Sequence, residues 1–434
     1  MKKDYQTKTA AVAIAVEAVM PDAVSVTLAE LAGSLREGLL ALAVGAGFQV
    51  MDAIIAENVS ALAGPKGRHD PNRTAVRRGS EDGSVMLGGR TVPIRRPRVR
   101  TADRTAEVAI PAYELFSSTD VMTAMVLEKM MAKLSTRRYA AGLEPVGAQI
   151  EATARSTSKS AISRRFVAAT ETALADMLAA DLTELDLVAL MVDGVHFADH
   201  LCVVALGIGI DGTKHPFGLA EGDTENTTVV RDLLADLRDR GLNTTRPILC
   251  VLDGAKALSK AVTAVFDHPV IHRCQLHKIR NVESKLPDAL ASTVAKKMRA
   301  AYHNPDALAA EATLENLARQ LAKSHPGAAG SLREGLAETL TVTRLGVPPM
   351  LARTLRSTNA VESMIEICRD HSTNVKRWRD GQMALRWCAA GMFEASKQFR
   401  RVNGFLHLPA LRDALDRHVA AAVTPPCEDE YVAA

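Results

Sequence analysis

The chain has 434 residues, enough for two to four domains of roughly 150 residues each. An apolar fraction of 47% supplies sizeable cores, whereas a charged fraction of 24% with a net charge of only +3 says little about partners. The most apolar run, residues 38–48, is too short for a membrane helix of roughly 20 residues, which excludes a membrane-spanning role.

Two features of the sequence favour a cytoplasmic protein. Glu17 and Pro21 interrupt the apolar N-terminal segment, so this segment does not have the pattern of a signal peptide. The six cysteines are scattered and form no Cys-x-x-Cys pair, which in a chain of this length indicates reduced thiols.

The first predicted region, residues 1–65, is helical and ends at Gly64-Pro65. An apolar stripe with a spacing of three and four residues runs along it, formed by Leu28, Leu31, Leu35, Leu39 and Leu42. This stripe fits either core packing or a dimer interface.

Residues 66–110 form a basic segment. Between positions 66 and 104 there are eleven Lys or Arg residues against four Asp or Glu. Short β-favouring runs on both sides of Gly88-Gly89 predict a hairpin. The excess of cations indicates an arm that contacts phosphates, with a solvated basic loop as the alternative. The arginines concerned are Arg95, Arg96, Arg98 and Arg100.

Residues 111–182 are predicted to form a helix-turn-helix domain. A helix that starts near Asp120 is followed by a break around residues 142–145, and a second helix begins after Ser156 or Ser158 as its N-cap. Short polar and basic side chains open this second helix and suit contacts to DNA grooves and phosphates: Lys159, Ser160, Ser163, Arg164 and Arg165.

From residue 183 onward the pattern changes to strands alternating with helices. Strands are predicted over 187–192, 201–210, 213–219, 247–252 and 270–272, with helices over 225–240 and 255–266. Three strands in succession, then a helix and further strands, predict an α/β fold with a mixed sheet, in the order of a ribonuclease-H-like core. We expect residues 183–286 to form its first part, 287–355 an all-helical insertion, 356–424 the rest of the core, and 425–434 a loose tail.

Two of the predicted strands end in Asp-Gly, at Asp193 and Asp253. In a sheet of this order the first and fourth strands are neighbours, so the two carboxylates meet and a cation relieves their repulsion. Oxygen ligands of this kind suit Mg²⁺, and two such ions stabilise the attacking and leaving oxygens of a phosphoryl displacement. The alternative is a pair of ordinary turn aspartates.

A third carboxylate is predicted on the helix at 357–370. Glu362 follows Thr358 or Asn359 as the N-cap, and Arg369 lies two turns further along the same face, roughly 10 Å away, where it reaches a DNA phosphate. Glu366 shares this face and competes with Glu362 for the role.

The segment HRCQLHKIRN, residues 272–281, is predicted to lie at the edge of the same site. Cys274 and His277 have the spacing of half a zinc site. No second Cys/His pair follows, so a packed cysteine and a histidine at the active-site edge are favoured. Lys278 and Arg280 would then face phosphates.

Taken in order, four motifs resemble those of the Mutator-type bacterial insertion-sequence transposases: Asp193-Gly194, residues 253–258, residues 272–281 and residues 356–362. The resemblance covers most of the chain. It implies a DDE transposase with Asp193, Asp253 and Glu362 as its metal-binding triad. Some members have Arg directly after the Glu, whereas Ser363 stands here, and no role is carried over to that position.

The resemblance implies cleavage at the end of a mobile element with two Mg²⁺ ions, for which Mn²⁺ substitutes, and attack of the freed 3′-hydroxyl on target DNA. The implied partners are terminal inverted repeats, target DNA and further copies of the chain, in a homodimer or a larger assembly on paired ends. A copy-out route through a circular intermediate and a nucleoid-associated location belong to the same expectation. Two alternatives remain: a catalytically inactive DNA-binding regulator, and a ribonuclease-H-like nuclease without strand transfer.

Overall fold

A computed structural model of the protein describes residues 28–68, 70, 72–146, 148–222 and 226–423. The predicted helical region is therefore described from Leu28 onward, and the predicted tail lies outside the described residues. The chain divides into two compact units, one made of the residues up to Val126 and Thr136–Ser163, the other of Leu127–Ser135 and the residues from Arg164 onward. Within the described ranges, no helix is long and apolar enough to cross a membrane.

The first unit is built on a long helix and a β-hairpin. Its main elements are α1 (Leu28–Ala63), β1 (Ala75–Leu87), β2 (Arg90–Thr101) and the short strand β3 (Glu107–Val108). Buried side chains from the last turns of α1, Ile55 and Val59 among them, pack against Val99 of β2. The helix thus covers one face of the hairpin. In the predicted leucine stripe, Leu39 is exposed.

The hairpin turns at Gly88-Gly89, as predicted. Both glycines have positive φ, +55° and +75°, which a two-residue turn between twisted strands requires. The paired strands are longer than the runs identified from the sequence, since pairing extends from Leu87 with Arg90 to Ala75 with Thr101.

Short helices follow the hairpin. They are α2 (Pro111–Ser117), α3 (Asp120–Met131), α4 (Ala148–Thr153) and α5 (Lys159–Ala179). Of the two predicted N-caps of α5, Ser158 is the one observed, because its hydroxyl accepts a hydrogen bond from the Ala161 amide at 3.3 Å.

A five-stranded mixed sheet forms the centre of the second unit. Its strands are β4 (Leu187–Phe197), β5 (His200–Gly209), β6 (Lys214–Gly222), β7 (Ile248–Leu252) and β8 (Pro269–Arg273), arranged in the order β6-β5-β4-β7-β8. β4 pairs antiparallel with β5 and parallel with β7. All five predicted strands are present, and the predicted adjacency of the first and fourth is confirmed.

The largest difference from the predicted strand boundaries is at the end of β4. β4 does not stop at Val192 but continues through Asp193, which pairs with Val204 of β5, and ends at Phe197. The antiparallel partner extends β4 beyond the point where its apolar run stops. The chain then turns at Ala198, which has a φ of +52°.

Neighbouring residues of a strand point to opposite faces of the sheet, and both faces are apolar here, so helices cover both. Leu190 faces the core shared with α6 (Thr227–Asp239) and α7 (Lys256–Val265). Met191 faces the core shared with the C-terminal helices. Those helices are α13 (Pro349–Leu355), α14 (Asn359–His371), α15 (Gly381–Gln398) and α16 (Leu408–Val423).

The segment between these two groups of helices is helical, as predicted, and has a hydrophobic core of its own that includes Met298, Leu314 and Leu332. Its elements are α8 (Gln275–Glu283), α9 (Asp288–Tyr302), α10 (Ala307–Ala322), α11 (Pro326–Arg333) and α12 (Thr341–Arg344).

Candidate active site

Asp193 and Asp253 lie level with each other on neighbouring strands. β4 and β7 pair in parallel, with Met191 opposite Val251 at the end of the paired stretch. Asp193 and Asp253 each come two residues after this pair, so the same register places them side by side. Asp253 directly follows β7, as predicted, whereas Asp193 lies inside the longer β4.

Nearby backbone amides orient both carboxylates. Asp193 Oδ1 accepts a hydrogen bond from the Gly194 amide at 2.8 Å, and Asp253 Oδ1 accepts one from the Ala255 amide at 2.7 Å. Gly254 has a φ of +105°, a conformation that L side chains rarely adopt. The turn after Asp253 therefore needs its glycine, while Gly194 is an ordinary strand residue.

A buried arginine that the sequence did not indicate supports the turn after Asp253. Arg273 donates to the Gly254 carbonyl at 2.5 Å and to the Glu334 carbonyl at 2.7 Å. A Cβ at position 254 would lie 2.4 Å from Arg273 Nε. The buried Arg273 thus fixes the turn that positions Asp253.

Glu362 lies in the first turn of α14, and Thr358 holds its carboxylate. Thr358 occupies the N-cap position, but its hydroxyl makes no capping hydrogen bond and donates instead to Glu362 Oε1 at 2.5 Å. Of the two predicted N-cap positions, Thr358 and Asn359, Thr358 is the one observed, but its side chain does not cap the helix. The same hydroxyl lies 3.4 Å from Cys274 Sγ and 3.3 Å from His277 Nδ1.

The charges of Asp253 and Glu362 act on Asp193. Burial raises the pKa of Asp193 to about 6, and the negative charges of Asp253 and Glu362 act in the same direction. The Gly194 amide and His277 partly oppose this rise. A carboxyl group with such a pKa carries a charge near neutral pH that its surroundings do not neutralise.

Cys274 and His277 lie at the edge of this site, as their position after β8 predicted. Burial opposes ionisation of the Cys274 thiol, but hydrogen bonds from His277 and Thr358 outweigh it and lower its pKa. The pKa of His277 is raised, first by its hydrogen bond to Cys274 and further by Glu362 and Asp253. His277 Nδ1 lies 3.9 Å from Glu362 Oε1, so the imidazole places positive charge beside that carboxylate when it is protonated.

Two groups of side chains are therefore candidates for holding a metal ion. Donor atoms of Cys274, His277 and Glu362 lie within 4.8 Å of one another, which the Cys-x-x-His spacing alone did not reveal, because the third donor comes from another helix. The Thr358 hydroxyl already bonds within this group. The second group, Asp193 and Asp253 with Glu362, offers oxygen donors only, which is the chemistry that Mg²⁺ prefers.

Most of the residues predicted to contact DNA on α5, α8 and α14 are exposed to solvent. Lys159, Ser160, Ser163 and Arg164 are exposed along the first turns of α5, while Arg165 is half-buried. Arg280 on α8 and Arg369 on α14 are also exposed.

Lys278 does not match the prediction of a phosphate contact. Its side chain is buried, and the ammonium donates to the carbonyls of Ser331 at 2.6 Å and Glu334 at 2.5 Å. Burial lowers the pKa of Lys278 to about 8. The residue fastens α8 to the end of α11, because packing of the helical segment over α8 encloses it.

The arginines of the predicted arm are paired with carboxylates of the neighbouring strands. Arg98 lies 2.8 Å from Glu107 of β3, and Arg100 lies 3.3 Å from the same carboxylate. Arg95 pairs with Asp82 at 2.7 Å, and Arg96 pairs with Glu81. The hairpin therefore neutralises much of its own positive charge.

Comparison with known proteins identifies the family of the chain. The family described as "Transposase, Mutator family" matches residues 37–402. The chain is 23% identical over 366 residues to the transposase for insertion sequence element ISRM5 of Rhizobium meliloti (strain 1021), a match that covers 84% of this chain and 90% of the relative.

Two further relatives match over shorter stretches. The transposase for insertion sequence element IS6120 of Mycolicibacterium smegmatis is 29% identical over 239 residues, 54% of this chain and 72% of the relative. The transposase for insertion sequence element IST2 of Acidithiobacillus ferrooxidans is 29% identical over 174 residues, 40% of this chain and 58% of the relative. The chain belongs to the Mutator family of transposases, which confirms the resemblance carried by its motifs.

Proposed function

We propose that the protein is a DDE transposase with a ribonuclease-H-like core, in which Asp193, Asp253 and Glu362 form the catalytic triad. The observation that carries the proposal is the register of β4 and β7, which sets Asp193 and Asp253 level at one edge of the sheet. The raised pKa of Asp193 supports it, since Asp253 and Glu362 are both among the causes. Membership of the Mutator family is the independent support.

The residues present fit a divalent cation. In the described part of the chain, no Arg or Lys forms an ion pair with any of the three carboxylates. Their negative charges repel one another, so a bound cation stabilises them. Asp193, Asp253 and Glu362 would hold Mg²⁺, or Mn²⁺ in its place. When bound, the ions supply Lewis-acid stabilisation of the attacking and leaving oxygens of a phosphodiester.

The chain's own groups prepare this site. Backbone amides fix the two aspartates, and Thr358 fixes one oxygen of Glu362. When protonated, His277 places positive charge next to Glu362 and opposes protonation of Asp193. We propose that these contacts keep the carboxylates ionised and oriented.

The DNA that this site acts on would be bound from other surfaces. The exposed polar and basic start of α5 supports its role as the second helix of a helix-turn-helix that contacts terminal inverted repeats. Arg280 and Arg369 are exposed on helices that also carry His277 and Glu362, which suits contacts to phosphates near the cut. Cutting and joining two ends requires at least two copies of the chain, so we propose a homodimer or a larger assembly.

The decisive experiment measures cleavage and strand transfer on labelled element-end DNA with Mg²⁺. Asp253→Asn keeps the shape of the side chain but removes a charge, and we expect it to abolish cleavage while end binding stays unchanged. Asp239→Asn, at an exposed position on α6, is the matched control and should cleave normally.

Each outcome of this experiment selects one class of protein. Cleavage followed by joining supports the transposase, and cleavage without joining supports a nuclease. Binding without cleavage by the unmodified chain supports a regulator. If Asp253→Asn cuts at the same rate as the unmodified protein, the proposed triad is wrong.

A further inference from the structure

A cavity of about 330 Å³ lies next to the segment that carries Glu362. It opens between α8, the end of α9 and the stretch that joins α13 to α14. Its cationic lining residues are Arg299, Arg353 and Arg356. Its apolar lining includes Leu276, Ile279 and Pro349. Its volume falls at the lower end of the range for small-ligand sites, roughly 300–1,000 Å³.

The three arginines of this cavity have no carboxylate partner among the residues that the structure describes. This sets them apart from other arginines of the same helical segment. Arg333 pairs with Glu315 at 2.7 Å, and Arg344 pairs with Glu311 at 2.7 Å. Positive charge is therefore left unneutralised at the cavity.

Arg356 is the most constrained of the three. Its Nε is buried and has no hydrogen-bond partner in the described part of the chain. Burial also lowers the pKa of its guanidinium, so its surroundings disfavour the charge that it carries. A buried cationic donor without a partner costs free energy unless an anion supplies the missing acceptor.

The cavity is tied to the proposed active site by a short, fixed stretch of chain. Asn359 lines the cavity and lies one helical turn before Glu362. The Arg356 carbonyl accepts a hydrogen bond from the Gln275 amide at 3.0 Å, which fastens this stretch to the start of α8. An anion held in the cavity would therefore lie about one helical turn from Glu362.

Resting on the proposed function, we propose that this cavity binds one unpaired nucleotide of the DNA strand that passes Glu362. Arg299, Arg353 and Arg356 hold its phosphate, and the apolar wall receives its base. A paired duplex is too wide to enter a space of this size, whereas a single nucleotide combines the anionic and flat apolar parts that the lining complements.

The test measures binding of a fluorescently labelled ten-nucleotide single strand by anisotropy over a series of salt concentrations, in EDTA. The double variant Arg299→Ala/Arg353→Ala should bind about tenfold more weakly, as expected for a lost charge-assisted contact. The slope of log affinity against log salt should become shallower by roughly 0.7, the value for one phosphate contact on a single strand. Affinity for the paired duplex of the same sequence should stay within about twofold.

Two further variants separate the contributions. Arg333→Ala/Arg344→Ala removes the same charge from the same helical segment, but from arginines that already have carboxylate partners, and should leave single-strand binding unchanged. Leu276→Ser reduces the apolar wall, so it should weaken binding without changing the salt slope.

An unchanged slope in Arg299→Ala/Arg353→Ala would overturn the proposal. An equal loss for the duplex would also overturn it, because the arginines would then be contacting phosphates at the rim. These measurements need no metal and no cleavage, so failure of the proposed catalytic triad would appear in the Asp253→Asn assay and leave this result standing.

Discussion

The charged side chains of the candidate active site, on β4 and after β7, differ from those of the hairpin in the first unit in whether they have an oppositely charged partner. At the sheet edge, Asp193 is half-buried beside two further carboxylates, and its pKa is raised to about 6. In the hairpin, Glu107 lies between Arg98 and Arg100, whose hydrogen bonds and charges lower its pKa to about 2. The hairpin arginines have carboxylate partners within the first unit, whereas no Arg or Lys among the described residues forms an ion pair with Asp193.

This difference distinguishes charged side chains that stabilise the fold from those that we propose bind a ligand. From the sequence, both regions are predicted to bind an opposite charge from outside the chain: the arginines of residues 95–100 a phosphate, and the three distant carboxylates a cation. In the hairpin the partner is supplied by β1 and β3, so those arginines offer less net charge to DNA than their number suggests. At the carboxylates no Arg or Lys of the described residues supplies this partner, and we propose that a divalent cation does.

The largest expected effect follows from neutralising one member of the carboxylate cluster. Glu362→Gln should lower the rate of Mg²⁺-dependent cleavage by about a thousandfold, equivalent to roughly 4 kcal/mol, because it removes a charge that would hold the ion. Glu366→Gln is the matched control, since Glu366 is exposed one turn further along α14. Single-turnover cleavage rates decide the point. Equal losses in both variants would show that the helix, and not the carboxylate of residue 362, matters.

The second effect is on stability and depends on pH. The pKa of Asp193 is about 6 in the folded protein against an ordinary value of 3.8, so the folded state retains the proton over that interval. The contribution of this group to the free energy of unfolding therefore falls as pH rises from about 4 to 6. In EDTA at pH 8, Asp193→Asn should be more stable than the unmodified protein by roughly 3 kcal/mol.

Urea unfolding in EDTA at pH 8 and pH 4 measures this effect. The advantage of Asp193→Asn should disappear near pH 4, where the aspartate is already protonated in the folded state. Adding Mg²⁺ at pH 8 should stabilise the unmodified protein and narrow the gap, because an ion that binds only the folded state shifts the equilibrium toward it. A variant that is less stable than the unmodified chain at pH 8 would contradict the raised pKa.

The element order and the meeting of Asp193 with Asp253 were predictable, since the order of strands in a sheet fixes which strand ends are neighbours. The longer β4 was not, because its extension depends on pairing with β5. Lys278 was misplaced for a similar reason: its carbonyl partners belong to residues more than fifty positions further along the chain. Burial and pairing of this kind depend on tertiary contacts that no local pattern records.

The third effect concerns DNA binding at the start of α5. Arg164 is exposed there, so Arg164→Ala should weaken binding of element-end duplex several-fold and reduce the salt slope by roughly 0.9, the value for one duplex phosphate. Arg231→Ala, on α6 where Arg231 pairs with Asp232, is the control and should bind normally. Anisotropy titrations at several salt concentrations measure both variants. Unchanged affinity in Arg164→Ala would remove α5 from the DNA interface.

The smallest effect tests the hairpin, where charge neutralisation should be reversible. Glu107→Gln removes the carboxylate that pairs with Arg98 and Arg100. Arg100 then becomes available to phosphates, whereas Arg98 keeps its ion pair with Glu81 at 3.3 Å. Duplex affinity should rise about twofold to threefold, with a steeper salt dependence. Glu114→Gln changes the net charge equally at an exposed position on α2, and any rise that it shares reflects net charge alone. A rise confined to Glu107→Gln would show that this carboxylate keeps Arg100 from contacting DNA. No rise would mean that the ion pairs of Glu107 have a purely structural role.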